Sequence, residues 1–352
     1  MGNTFTIVLP SPKVSGGVKE AIFFGDALND RNEGSVISMW RSQNPVNIED
    51  IKFLSNFYTS ENFQLIKLLI IFYNFHVYLK RSKGQENFIF THYSTYILSL
   101  ILPRNNAYYF IQDIEWNFMG NKILKWPMKK FILFFLQRGN VITANDYLAN
   151  FFSNKVKVHH QYRIWASDNF RSSKSSSRDV DFVMVLRKGN AKRFDLYKIF
   201  LENCLLVEGL KLAIITPEES LLDELRHITA EKFLSPSPEI MRNIYARSKF
   251  FVMLSEHEGF GLPPLESMGC GCIPICRNSG GVSQYMSGKL IDFMVPLSCS
   301  IDDFFKIALR ALYMREDERQ IYSNEAVEIF SKGFFRNKSN SLVIAALQGV
   351  SR

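Results

Sequence analysis

The sequence predicts an α/β chain of two domains, each built on a parallel sheet covered on both faces by helices, with a cleft expected between them. Three observations carry this expectation. The chain has 352 residues, more than one hydrophobic core usually serves. Short apolar runs alternate with helical stretches in both halves. A single serine-rich polar stretch separates those halves. Hydrophobic residues make up 47% and aromatic residues 14% of the chain, so there is enough apolar surface for two cores and the composition is not that of a disordered protein.

The first half opens with a strand over Thr4 to Leu9, a turn through Ser15-Gly16-Gly17 and an amphipathic helix from about Val18 to Asn29, which is a βα unit with glycine at its turn. Further strands are expected at Ser35 to Trp40, Asn87 to Thr91, Ala107 to Ile111, Val141 to Thr143 and Val156 to His159. The run Ser172-Ser173-Lys174-Ser175-Ser176-Ser177, inside a polar stretch from Ala166 to Arg178, reads as the linker. Beyond it come strands at Val180 to Leu186, Leu212 to Thr216, Lys232 to Leu234, Phe250 to Leu254 and Cys272 to Cys276. The pattern then turns helical through Asp302 to Met314, Glu316 to Lys332 and Asn337 to Leu347. The expected domains are 1–172, 173–332 and a closing helical segment, 333–352.

A net charge of +8 fits an anionic partner, whether nucleic acid, an acidic membrane surface or a phosphorylated substrate, and does not choose among them. Five cysteines and no signal-peptide pattern at the start point to free thiols and a cytoplasmic location, with the inner face of the plasma membrane as an open alternative. Cys270, Cys272 and Cys276 run into an apolar strand without a histidine at ligand spacing, so they read as small buried hydrophobes and no metal site is expected. Asp179-Val180-Asp181 begins a strand instead of following one, which argues against a metal-binding pair there.

Chemistry concentrates at strand ends. Glu258 and Glu266 bracket Gly259-Phe260-Gly261-Leu262-Pro263-Pro264-Leu265, immediately after an apolar strand. Parallel sheets bind ligands at the carboxyl ends of their strands, where the next helix presents unpaired N–H groups to anions. After Leu186 comes Arg187-Lys188-Gly189-Asn190-Ala191-Lys192-Arg193, four cations in seven residues. Preorganised Arg and Lys donors stabilise the charge that builds on a departing phosphate more than they stabilise the intact ester.

The segment SEHEGFGLPPLESMGCGCIPI resembles the E-x7-E signature of retaining glycosyltransferases of glycosyltransferase family 4. That resemblance implies the two-Rossmann-domain architecture called GT-B, with the last helix crossing back onto the amino-terminal domain. It also implies that Glu266 holds the ribose of a nucleotide-sugar, that Glu258 sits beside the transferred sugar, and that backbone near Gly259, Phe260, Gly261 and Leu262 contacts sugar and diphosphate. Arg187 and Lys192 match the family's diphosphate-binding pair, Gly16 and Gly17 fall near the donor phosphates or the acceptor, and the base lies near Leu234 and Ser235. The Ser-Gly-Gly-Val of residues 15–18 recurs at residues 279–282.

On the amino-terminal side, strand ends run into His92-Tyr93-Ser94 and Gln112-Asp113-Ile114-Glu115. Many family members carry histidine where Gln112 stands. Gln112 and His92 are candidate sugar or acceptor contacts, and Asp113 a group that orients or deprotonates the acceptor. The text YFIQDIEW is similar to a subgroup acting on rhamnose-containing polymers.

Two aromatic and basic stretches, Phe63 to Arg81 and Lys122 to Arg138, contain no run near the roughly 20 apolar residues of a membrane span. They are open to either interfacial attachment to an anionic membrane or core packing.

The leading expectation is therefore a retaining transferase that moves a hexose from a nucleoside-diphosphate sugar to a glycan or lipid-linked acceptor, in bacterial-type surface polysaccharide synthesis, without a cofactor. A nucleotide-sugar epimerase of the same fold and a catalytically silent glycan- or partner-binding module stay as alternatives. Nucleic-acid binding is disfavoured, because no recognised module carries the basic residues.

Overall fold

The computed structural model describes residues 4–12, 16–28, 35–40, 51–54, 65–81, 86–162, 168–171, 178–334 and 347. The chain divides into two compact units, Met1–Ile164 with Lys338–Arg352, and Trp165–Asn337.

In the first unit the elements run β1 (Thr4–Leu9), α1 (Gly16–Leu28), β2 (Ser35–Ser38), β3 (Ile51–Phe53), α2 (Leu65–Arg81), β4 (Glu86–Phe90), α3 (Tyr93–Tyr96), β5 (Ala107–Ile111), α4 (Lys122–Leu136), β6 (Asn140–Thr143), α5 (Asp146–Ser153) and β7 (His160–Gln161). All seven strands pair in parallel, in the order β3-β2-β1-β4-β5-β6-β7.

The second unit runs β8 (Val180–Val185), α6 (Phe194–Leu205), β9 (Leu212–Thr216), α7 (Glu219–Glu224), β10 (Glu231–Leu234), α8 (Pro238–Arg247), β11 (Ser248–Met253), α9 (Leu262–Gly269), β12 (Ile273–Arg277), β13 (Met294–Val295), α10 (Ile301–Leu312) and α11 (Glu316–Gly333). Its sheet is also wholly parallel, ordered β10-β9-β8-β11-β12-β13.

Both sheets have the doubly wound order in which the chain starts in the middle, winds one way and then reverses. The reversal lies between β1 and β4 in one unit and between β8 and β11 in the other. Such a point leaves a crevice at the carboxyl ends of the two strands. The inner strands β1, β8 and β9 are buried along almost their whole length, because helices cover both faces of a parallel sheet. In the first unit Phe24 of α1 packs on Phe110 and Tyr162, with ring centroids 5.0 and 4.5 Å away. In the second, Phe182 packs on Phe200 of α6 and on Phe250. Each fully buried ring contributes about 1.5–3 kcal/mol relative to an exposed one.

Several boundaries differ from expectation for identifiable reasons. Gly16 and Gly17 lie in the first turn of α1, not in a turn ahead of it. The strand expected over Val156 to His159 is displaced to His160–Gln161, because the Val156 amide still bonds to Phe152 O at the end of α5. The edge strands β3, of three residues, and β13, of two, are too short to show a pattern in sequence. Pro274 sits in β12 beside a strand that pairs only with Cys276 and Arg277, so its missing N–H costs no ladder bond on that side.

The division between units falls ahead of the serine-rich stretch. Phe170 is buried against Tyr245, with centroids 5.8 Å apart, and its carbonyl accepts from Cys270 Sγ at 3.4 Å. Arg178 then donates from Nη1 to Ser248 O at 2.6 Å and from Nη2 to Cys270 O at 2.9 Å, so one guanidinium closes the carboxyl ends of α8 and α9. The helix expected over 337–347 lies outside the described residues except for Leu347.

Candidate active site

At the reversal point of the second sheet, the loops after β8 and β11 carry the two charged motifs read from the sequence. Lys192 Nζ donates to Glu258 Oε2 at 2.8 Å, with both side chains half-buried. The Ala191 carbonyl accepts the Glu256 amide at 2.8 Å, which pins the cationic loop to the carboxylate loop.

Arg187 and Glu266 both act electrostatically on a third residue, Tyr245. Burial pushes the Tyr245 hydroxyl well above its ordinary pKa; the Glu266 carboxylate adds to that rise and the Arg187 guanidinium opposes it, so both charges act on one buried oxygen. The Tyr245 hydroxyl has no hydrogen-bond partner. Sequence reasoning passed over Tyr245, because nothing in its own helix distinguishes it from a core aromatic.

The turn between the glutamates is held by backbone. The Glu258 amide donates to Ser279 O at 2.8 Å and Gly281 N donates to Glu258 O at 2.9 Å, forming a bridge between Glu258 and Gly280 beyond the end of the sheet. The second Gly-Gly pair is therefore the backing of the glutamate loop. A Cβ on Gly281 would lie 2.2 Å from Gly259 O, so only glycine permits this approach. Gly261 adopts φ 81° as the residue that starts α9, and the Tyr285 hydroxyl donates to its carbonyl at 2.8 Å. Phe260 is buried against Tyr285, whereas Leu262, Pro263 and Pro264 form the first turn of α9. The amino end of that helix thus opens beside Glu258, an arrangement suited to an anion.

Leu234 and Ser235 lie at the carboxyl end of β10, on the outer edge of the same sheet. Leu234 is exposed and Ser235 holds φ 46°, a left-handed conformation uncommon for serine, with its amide bonded to Thr216 O at 2.9 Å. The acidic pair Asp179 and Asp181 sits at the opposite end of β8, bonded to Arg247 and Lys249. Cys270, Cys272 and Cys276 are buried; burial lifts the first two thiols to about 12 and raises the third well above its ordinary value. Arg193 is held by Asp195 and Glu256, and Lys188 pairs with Glu224.

In the first unit the strand-end candidates gather around β4 and β5. Gln112 Oε1 lies 2.8 Å from where a Cβ on Gly17 would stand. Asp113 Oδ1 accepts the Ile114 amide at 2.7 Å. His92 caps α3, its Nδ1 2.8 Å from Ser94 Oγ, and burial lowers its pKa to about 4. The neighbouring Glu115 accepts the Tyr93 amide at 3.0 Å. Burial raises its pKa to about 8, with the Tyr93 bond opposing and Asp113 adding to the rise. Sequence reading named Glu115 in its strand-end run without a role, because only packing separates it from an exposed glutamate.

The family model described as glycosyl transferases group 1 matches residues 172–348, half of the chain. The chain belongs to that family. A protein of Sulfolobus islandicus filamentous virus, whose name gives it provisionally as glycosyltransferase 41, is 31% identical over 118 residues, covering 32% of this chain and 35% of the viral one. The GDP-mannose:cellobiosyl-diphosphopolyprenol alpha-mannosyltransferase of Xanthomonas oryzae is 50% identical over 42 residues, 12% of this chain and 11% of that protein. The matches thus span about a third or less of these relatives' lengths.

Among solved structures, sucrose-phosphate synthase from Thermosynechococcus elongatus superposes with a TM-score of 0.76 at 12% identity, over 99% of this chain and 97% of that one. The likeness establishes the fold of this group 1 member as GT-B, a pair of Rossmann-like units.

Proposed function

We propose that this group 1 family member transfers a hexose, with retention of anomeric configuration, from a nucleoside-diphosphate sugar to a hydroxyl of a glycan or lipid-linked saccharide. The observation that carries the reading is the Lys192–Glu258 ion pair of 2.8 Å at the reversal point of the second sheet. In the proposal Arg187 and Lys192 take the charge that grows on the β-phosphate oxygen as the anomeric bond breaks. Glu266 accepts hydrogen bonds from the ribose, and backbone from Gly259 to Leu262 meets the sugar and diphosphate at the start of α9. Glu258 faces the positive charge that develops on the sugar ring. The base lies near Leu234 and Ser235. The cations do the neutralising, so the reading includes no resident cofactor or metal.

On the acceptor side Asp113 orients or deprotonates the incoming hydroxyl, while His92, Gln112, Gly16 and Gly17 line its approach. The reading extends to synthesis of a bacterial surface polysaccharide, with rhamnose as one sugar to try; the lipid-linked acceptor is supported by the Xanthomonas relative, whose name specifies a diphosphopolyprenol acceptor.

The face of α4 extends this to an anionic membrane at the inner side of the plasma membrane. Ile123 is 82% and Trp126 68% exposed, beside Lys125, Lys129 and Lys130. Aromatic groups set among cations suit an interface of anionic headgroups. Among the described residues no helix is long and apolar enough to cross a membrane.

The test is a panel of nucleotide-sugars scored by thermal shift, then incubation of the hit with diphosphopolyprenol-linked saccharides. A ligand at 100 times its dissociation constant stabilises the folded chain by about 2.7 kcal/mol. The expected product keeps the donor's anomeric configuration by NMR. An inverted product rejects retention, donor converted without acceptor indicates an epimerase, and no nucleotide binding rejects the site.

A further inference from the structure

Immediately past Lys192 the second unit contains a cavity of about 200 Å³, many times the ~10–15 Å³ a single water requires. Arg193 and Leu196 line it from the start of α6, Arg277 from the end of β12, and Cys299, Ser300 and Ile301 from the start of α10. Two helices of twelve residues therefore direct their amino ends at one space. Their partial positive charges add there.

Arg277 supplies the independent observation. Its side chain lies in a residue only 7% exposed; Nη2 donates to Leu297 O, and Nη1 has no hydrogen-bond partner. A buried guanidinium N–H left unpaired is costly, and an oxyanion is the ligand that satisfies it best. Burial lowers the Arg277 pKa and the neighbouring Arg193 charge adds to the fall, while Glu256, Cys299 and Asp195 oppose it. The acidic groups nearby are engaged: Asp195 and Glu256 with Arg193, Asp302 with Asn203, and Asp303 with Ser300 and Lys306.

We propose that this cavity binds a phosphate-class oxyanion, free phosphate or the phosphate of a small monoester, between Arg277, Arg193 and the amino-terminal turn of α10. Arg193 holds φ 51° directly beside Lys192 and bonds to Glu256, whose amide is fixed to Ala191 O. An anion that draws on Arg193 therefore acts on the loop that presents Lys192, from a place separate from the ion pair itself.

Cys299 reports on the site, since it is the one cysteine that is not buried. Alkylation of the full chain by N-ethylmaleimide, followed by mass spectrometry of Cys299, is expected to slow about tenfold at ten times the phosphate dissociation constant, by mass action. Chloride at matched ionic strength leaves the rate unchanged. Running inorganic phosphate against glycerol phosphate tells which source fits. Arg277→Gln abolishes the protection; should that variant fail to fold, Leu196→Phe, which fills the cavity and keeps both arginines, weakens it. Lys192→Ala retains it. Equal rates in phosphate and chloride, protection that survives both cavity variants, or protection lost in Lys192→Ala overturns the proposal.

Discussion

The carboxyl ends of the two sheets solve opposite electrostatic problems. In the second unit, Lys192 and Glu258 neutralise each other at 2.8 Å, and Arg187 and Glu266 offset each other around Tyr245. In the first unit, burial drives the titratable groups towards neutrality: Glu115 rises to about 8 and His92 falls to about 4. One end thus presents ion-paired side chains, and the other an acid and an imidazole that burial draws towards their neutral forms. The difference fits a division of labour in which a charged diphosphate is met by the second unit and a neutral hydroxyl by the first.

The strongest way to break this comparison is to remove a charge from the second unit. Lys192→Ala is expected to lower transfer by about 10²–10³-fold, the scale for losing one preorganised group at a developing charge, and Glu266→Ala to lower it through lost grip on the donor's ribose. Thermal unfolding should stay nearly unchanged, because both side chains are only half-buried. Normal turnover in both variants would remove the site.

A smaller effect comes from the backing of the loop. Gly281→Ala places a methyl group 2.2 Å from Gly259 O and is expected to cost about 1–3 kcal/mol by overpacking, read as a lower unfolding midpoint. Tyr285→Phe, which removes only the hydrogen bond to Gly261 O, should cost about 0.5–1.5 kcal/mol. Unchanged stability in Gly281→Ala would mean that the two loops are not in contact.

The first unit is probed by pH. His92 has a folded pKa below its ordinary 6.5, so the unfolded chain binds the proton first and stability drains away as pH falls from about 6.5 towards 4. Glu115 has a folded pKa above its ordinary value, so the folded chain binds the proton more tightly and stability drains away as pH rises from about 4.5 through 8. Each slope is at most about 1.4 kcal/mol per pH unit. Urea titrations across pH are expected to show the acid-side loss reduced in His92→Asn and the alkaline-side loss reduced in Glu115→Gln. If the two variants keep wild-type slopes, the groups are not desolvated.

How far the sequence could be read follows the same divide. Glu258, Glu266, Arg187 and Lys192 were legible because each sits in a contiguous motif at a strand end, where residue type and spacing already specify chemistry. The alternation of strands and helices likewise announced two parallel sheets. The partners that hold the motif were not legible. Tyr245 and Tyr285 reach the site through packing across the sheet, and the Gly280-Gly281 pair was visible as a repeat but not as the support of Glu258. In the first unit Glu115 differs from an ordinary surface carboxylate only by what surrounds it. The edge strands β3, β7 and β13 arise from pairing with neighbours and leave no periodicity of their own.

Phe170 and Arg178, which fasten the chain entering the second unit to the ends of α8 and α9, set where that unit can be cut or grafted. A fragment that begins at Val180 discards both anchors, whereas one that begins before Asp168 carries its own clasp. A recombination junction ahead of this seam keeps both anchors with the second unit; a junction inside it leaves two helices with open ends.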